Sequence, residues 1–460
     1  MQQPRFIRQL AVGATLVLAV GACSGGPSAA PTTGATAPGA TSPAATTAAN
    51  ACGTAPVTLN IWGGYPEIDP VYKTAGENFK KTHSNVDFTV FSTDLRGFEQ
   101  KLTTALPSKT AGEVVVRTTN FLARFIDQGL LAKLPADLKT AVTAPGAYVS
   151  EVLKDNTYKD DIWGMPIFTG GTAIYYNTDM YTAAGITGPP KSLDDLANNG
   201  KKLAVKDASG ATTRSGWSLR LSGQGSGVAE KFWILLIQKG KTLIRETPEG
   251  SGKWVAEYNG PEGQALFQMY VDLLKEGVDS QNIDHDAAAF ETKVTAQFLR
   301  ESWVVPEIAT KAPDLVGHYA TISPPVGDIL TTESMFVPAD AANADCAWEF
   351  VRFMREPEQQ LNLTKVSGWP LARKDIDLTA FLAENPTFEG FLKRPDNFQL
   401  YVTPAVAEFD EIETKLATHL VEGYADFANL AGNPDKIKTL LDGWAKETND
   451  ILKANAHFGG

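Results

Sequence analysis

Hydrophobic positions in residues 57–127 switch between a period of two and a period near 3.6. Residues 57–62 (VTLNIW), 86–91 (VDFTVF) and 113–117 (EVVVR) read as strands. Val71, Ala75 and Phe79, then Phe98, Leu102 and Leu106, then Phe121, Phe125 and Ile126 recur at helical spacing, and Gly129 stops the last group. This β-α-β-α-β-α order predicts a parallel sheet with helices packed on it. Residues 161–177 (DIWGMPIFTGGTAIYYN) close that unit and open another. Pro166 offers no N–H, and Gly170 and Gly171 permit unusual backbone angles. The stretch therefore predicts an extended hinge between two α/β units.

The second half continues the alternation. Ser192, with Asp195 three residues on, resembles a capping box before a helix. Trp217, Leu219 and Leu221 alternate with Ser218 and Arg220, which predicts a strand with Arg220 on its opposite face. Residues 223–227 (GQGSG) lead into a helix over 228–238. They lack the Lys-Ser/Thr of a phosphate loop, so the turn either lets Arg220 and Gln224 reach a cleft or simply connects. Pro261 suits the first turn of a helix whose stripe is Leu266, Met269, Tyr270 and Leu273. A strand over 293–299 leads to Arg300, Glu301 and Trp303. Ala347, Phe350, Val351 and Met354 mark an amphipathic helix, and residues 434–454 form the last one.

A chain of 460 residues can bury large cores and suggests two domains. Its net charge of −12 argues against nucleic-acid binding, which needs a basic footprint. The five His and three Cys are scattered, with no pair at metal-ligand spacing, so neither a metal nor a cofactor is expected. No G-x-S-x-G elbow or H-E-x-x-H is present, and no carboxylate pair is singled out by spacing. The expectation is a non-enzyme, with a secreted glycoside hydrolase as the alternative.

Arg5 and Arg8 precede an apolar run at 10–22 (LAVGATLVLAVGA), which is too short to span a bilayer comfortably and suits a signal peptide over residues 1–22. Small residues before Cys23 resemble a bacterial lipoprotein cleavage box. Cys23 is expected to be the lipid-modified first residue, and an ordinary signal peptide with a chance Cys is the alternative. Residues 23–55 are Ala, Thr, Pro, Gly and Ser with almost no charge, which predicts a disordered tether. The body is then extracytoplasmic, on the outer face of the bacterial cell membrane, with lipid as its sole membrane contact. Cys52 and Cys346 can pair in an oxidising compartment or stay as two thiols.

Ligands of open α/β sheets sit beyond the carboxyl ends of the strands. Those ends carry Trp62 and Tyr65, then Ser92, Thr93 and Asp94, then Asn120. Aromatic faces with hydroxyls, an amide and a carboxylate suit a sugar.

Trp163-Gly164-Met165-Pro166, then Tyr175-Tyr176-Asn177-Thr178-Asp179-Met180-Tyr181 and Ala184-Gly185, resemble a signature of the extracellular solute-binding proteins of ABC transporters, carbohydrate type, with Trp163 where Tyr is usual. Residues 125–131 (FIDQGLL), 259–263 (NGPEG) and 367–373 (SGWPLAR) are similar to that family as well. Glu113 departs from its pattern, as do Arg300 and Glu301. The resemblance implies an α/β, two-lobed, periplasmic-binding-protein-like fold of type II with three crossings. The first lobe would be residues 56–166 plus 326–372, and the second 168–323 plus 375–460. Trp303 would stack on the ligand. Trp369 and Phe168 at the crossings and Phe398 from the second lobe would line the cleft, and Arg300 and Glu301 would add charged contacts. The implied protein is a monomer that captures a mono- or oligosaccharide and delivers it to permease subunits. A polyamine or glycerophosphate is the non-sugar alternative.

Overall fold

The computed structural model describes residues 51–223, 225–283 and 287–460, all within one compact unit, Ala49–Gly460. Cys23, the leader, the tether up to residue 50, and Gln224 lie outside the described residues. Along the chain, β1 (Val57–Gly63), α1 (Asp69–Phe79), β2 (Val86–Ser92), α2 (Leu95–Ala105), β3 (Val114–Thr118) and α3 (Thr119–Asp127) alternate as the hydrophobic periods require. β4 (Met165–Thr169) follows, and Gly170 and Gly171 alone separate it from β5 (Thr172–Asn177). α4 (Gly227–Ile237), α5 (Pro261–Lys275), β6 (Gln297–Glu301), α6 (Val304–Lys311) and β7 (Tyr319–Ile322) come next. The chain continues through β8 (Gly327–Leu330), β9 (Thr332–Phe336), α7 (Ala344–Met354), α8 (Pro357–Ser367), β10 (Gln399–Val402), α9 (Phe409–Ala425) and α10 (Pro434–Ala454).

The first lobe is built on a five-stranded sheet in the order β2-β1-β3-β9-β4. β1 is parallel to β2 and β3, and β9 runs antiparallel to β3 and β4. Val114, Val115 and Val116 are fully buried, as a central strand covered on both faces demands. Leu59, Ile61 and Val116 pack with Val71 and Phe79 of α1 and Phe350 of α7. On the other face Val115 packs with Phe98, Leu102 and Phe125 of α2 and α3. Cys52 and Cys346 are joined at 2.08 Å, tying the stretch before β1 to α7.

The second lobe centres on the antiparallel sheet β6-β5-β7. α4 is apolar all round and buried from Phe232 to Ile237, because α5, α9 and β8 pack against it. The chain passes between the lobes at Gly170 and Gly171, at residues 323–326, and over residues 373–380, which link the first core at Ala372 to the second-lobe cluster at Phe381. β8 and β10 pair in parallel between the lobes. Their side chains alternate: Ile329 and Tyr401 pack on the second-lobe core, whereas Leu330, Leu400 and Val402 pack on the first.

The strand expected over residues 217–221 does not form. Arg220 takes a positive φ of 55°, which turns the chain out of extension, and the segment keeps single bridges at Ser215 and Ser218.

Candidate functional site

On the first lobe, β1, β2 and β3 end at one edge and β9 begins there, with Glu333 opposite Thr118, the last residue of β3. Tyr65, just after β1, donates to Glu333 Oε1 at 2.7 Å. Its ring meets Phe168 of β4 edge-on at 5.5 Å and Trp369 at 5.4 Å, and Phe168 and Trp369 are 5.7 Å apart. Trp369 Nε1 donates to Glu67 at 2.9 Å. These three expected aromatics form one corner. Beneath it Arg117 Nη1 donates to Glu333 Oε1 at 2.7 Å and Nη2 to Glu99 at 2.5 Å. Burial raises the Glu333 carboxyl above its ordinary range even though Arg117 opposes the shift.

On the second lobe, β6 delivers Arg300 and Glu301. Glu301 accepts from Arg300 Nη1 at 2.7 Å and from Lys231 Nζ, and Lys231, a buried residue of α4, also reaches Glu230 at 2.5 Å. Burial would raise Glu301, but Arg300 and Lys231 hold it well below the usual carboxylate range. The Arg300 guanidinium lies 5.1 Å from the centre of the Trp303 ring. Trp303 packs against both the first-lobe core and a second-lobe cluster. Gly368 explains how Trp303 and Trp369 approach: its φ is 86°, and a Cβ there would stand 2.5 Å from Ser302 O and 2.7 Å from Trp303 Cα. The turn before Trp369 therefore rests directly on the turn carrying Trp303.

The other expected residues make different contacts. Trp62 lies on the α2 side of the sheet, 5.0 Å from Phe91 and under Lys101, away from the corner. Asp94 caps α2 by accepting from Gly97 N at 3.0 Å, and this bond holds its carboxyl below the ordinary range. Asn120 is exposed in the first turn of α3. Arg220 folds over its own turn at Gly223. Phe398 sits under Arg394 at 4.7 Å. Arg394 holds the crossings, donating to Thr172 O at 3.2 Å and Ser323 Oγ at 3.0 Å. Buried Asp328 accepts from Thr172 N at 2.6 Å in the same place.

The periodicity reading passed over Arg117, Lys231 and Glu333. Arg117 and Glu333 did leave a trace: each is a charge in a short apolar strand, in EVVVR and TESMF. Across the lobes, Arg96 Nη2 reaches Asp410 of α9 at 3.3 Å. Nearby Glu413 is pushed up to about 8, by burial first and the Glu230 charge second.

A sequence profile of the bacterial extracellular solute-binding proteins matches residues 74–390. The diacetylchitobiose binding protein DasA of Streptomyces coelicolor is 25% identical over 338 residues, covering 70% of this chain and 74% of that protein. Among solved structures, an ABC transporter solute-binding protein from Thermotoga lettingae, bound with α-D-tagatose, superposes with a TM-score of 0.70 at 20% identity, covering 86% of this chain and 99% of that one. The GacH receptor of Streptomyces glaucescens, solved unliganded and with acarbose, gives 0.69 at 18% identity with the same coverages. Among the described residues no helix is long and apolar enough to cross a membrane. The chain belongs to the bacterial extracellular solute-binding proteins, a family that works outside the cytoplasm, and it has their two-lobed α/β fold.

Proposed function

We propose that this chain is the solute-capturing lipoprotein of an ABC importer and that its solute is a saccharide. The observation that carries this reading is the aromatic corner of Tyr65, Phe168 and Trp369, abutted by Trp303 from the other lobe, at the carboxyl edge of the sheet. Aromatic faces cover the C–H faces of a sugar ring, while the charged groups around them fix its hydroxyls. The related proteins that bind diacetylchitobiose, tagatose and acarbose support the solute class.

Capture proceeds by closure of the two lobes about the Gly170–Gly171 link and the β8–β10 ribbon. The closed form docks as a monomer on the permease subunits, and the lipid on Cys23 holds it at the membrane. A non-catalytic role suits the buried carboxylates, since Glu301 and Glu333 are each committed to a cation.

A thermal-shift screen of the full-length chain against mono-, di- and oligosaccharides, polyamines and glycerophosphates tests this. A solute that binds only the folded state adds about 2.7 kcal/mol at a hundredfold excess over its dissociation constant. The expected result is a clear shift with one saccharide class and recovery of that sugar intact. A shift accompanied by sugar breakdown, or shifts confined to polyamines or glycerophosphates, would overturn the reading.

A further inference from the structure

The charges of the cleft are unevenly satisfied. Its cations are engaged: Arg96 with Glu99 and Asp410, Arg117 with Glu99 and Glu333, Lys231 with Glu230 and Glu301, and Arg300 with Glu301. Arg220 is engaged as well. The buried polar atoms left over at the first-lobe edge are two carboxylate oxygens and the Thr332 hydroxyl. Glu333 is 2% exposed, and its Oε1 takes both Tyr65 and Arg117, while Oε2 has no partner. Asp69 begins α1 and takes the Ser92 hydroxyl on Oδ2 at 2.8 Å, while its buried Oδ1 has none. Burial first, then the charges of Glu333 and Asp69, raise the Tyr72 hydroxyl well above its ordinary range.

A carboxylate oxygen kept out of water with no donor is costly to leave unbonded. Here Glu333 Oε2 lies at the aromatic corner, where Tyr65 and Arg117 both take the neighbouring Oε1, and Asp69 Oδ1 lies at the start of α1 beside the end of β2. A ligand hydroxyl or ammonium would complete them. Among the described residues, a ligand carboxylate or phosphate would meet cations already paired with protein carboxylates and would face like charge.

We propose that this subsite receives hydrogen-bond donors, so that the solute is a neutral or amino sugar rather than a sugar acid or sugar phosphate, and that Glu333 is the residue that sets this choice. The inference rests on the saccharide-binding reading above and narrows it. Calorimetric titration of the full-length chain with maltose, mannobiose, diacetylchitobiose, its deacetylated form, digalacturonate and glucose 6-phosphate tests it. At least one neutral or amino sugar is expected to bind, with digalacturonate and glucose 6-phosphate silent. Preference for the deacetylated over the acetylated disaccharide would identify an ammonium as the donor. Glu333→Gln should weaken the bound sugar about 10- to 100-fold, the loss of one charge-assisted hydrogen bond.

Should that variant fail to fold, Asp69→Asn carries the same expectation with a smaller loss. Tighter binding of digalacturonate or glucose 6-phosphate than of the neutral sugars, or wild-type affinity in Glu333→Gln, would overturn this inference and leave the saccharide reading standing. Silence with every sugar would overturn both.

Discussion

Glu413 is a half-buried carboxylate whose proton is retained to about pH 8 because burial and the neighbouring Glu230 both oppose ionisation. In the unfolded chain a Glu ionises near pH 4.3. Between those values the folded state binds the extra proton, so stability falls as pH rises from about 4 to about 8. Glu413→Gln should be more stable than wild type at pH 9 by on the order of 1–2 kcal/mol after solvent screening, with no gain at pH 4. Thermal melts at the two pH values check this, and an equal gain at both would contradict it. Buried Asp328, pushed up to about 6 chiefly by burial, adds a slope of the same sign at lower pH. Residue roles were only partly legible in the sequence. Tyr65, Trp303 and Trp369 follow strand edges or turns, so their positions were readable. Trp62 and Asp94 also sit at strand ends, but one points to the α2 face and the other is taken by a helix cap, and chain position alone reveals neither. Lys231 and Glu333 are buried charges that pair with residues distant in sequence, Glu301 and Arg117, although Lys231 also meets its neighbour Glu230, and no local spacing signals the distant pairs.

Elements were more legible than residues where the hydrophobic period was clean. β1 to β3 and α1 to α3 follow directly from alternating and helical spacings. The segment at 217–221 alternates equally well yet forms no strand, because the left-handed residue Arg220 ends its extension and Trp217, Ser218 and Leu219 are all buried. Gly368 marks a close approach between the lobes. Gly368→Ala forces a side chain into a positive φ and against Ser302 and Trp303. It should cost about 1–3 kcal/mol and weaken saccharide binding by moving Trp303. Denaturant melts and titration of one preparation measure both, and unchanged stability would show that the turn has room. The disulfide between Cys52 and Cys346 spans 294 residues and is buried at both ends. Cys346→Ser should lower stability by about 2–5 kcal/mol, and reductant should reproduce that loss in the wild type.

At the scale of the molecule, capture requires the lobes to open and close, and the β8–β10 ribbon suits a hinge because its alternate side chains belong to different cores. The Arg96–Asp410 contact favours the closed form only weakly, since both side chains are largely exposed, 59% and 72%. Asp410→Asn should change the closed-to-open ratio about two- to fivefold, a shift that fades with added salt. Small-angle scattering with and without salt reads that shift.

Capture of an unmodified saccharide between the lobes is decided by titrating the full-length chain with the saccharide panel in the calorimeter and recovering the sugar afterwards. One-to-one binding of a neutral or amino sugar, returned chemically intact, is expected. Binding of none of them, or recovery of a cleaved product, would contradict it.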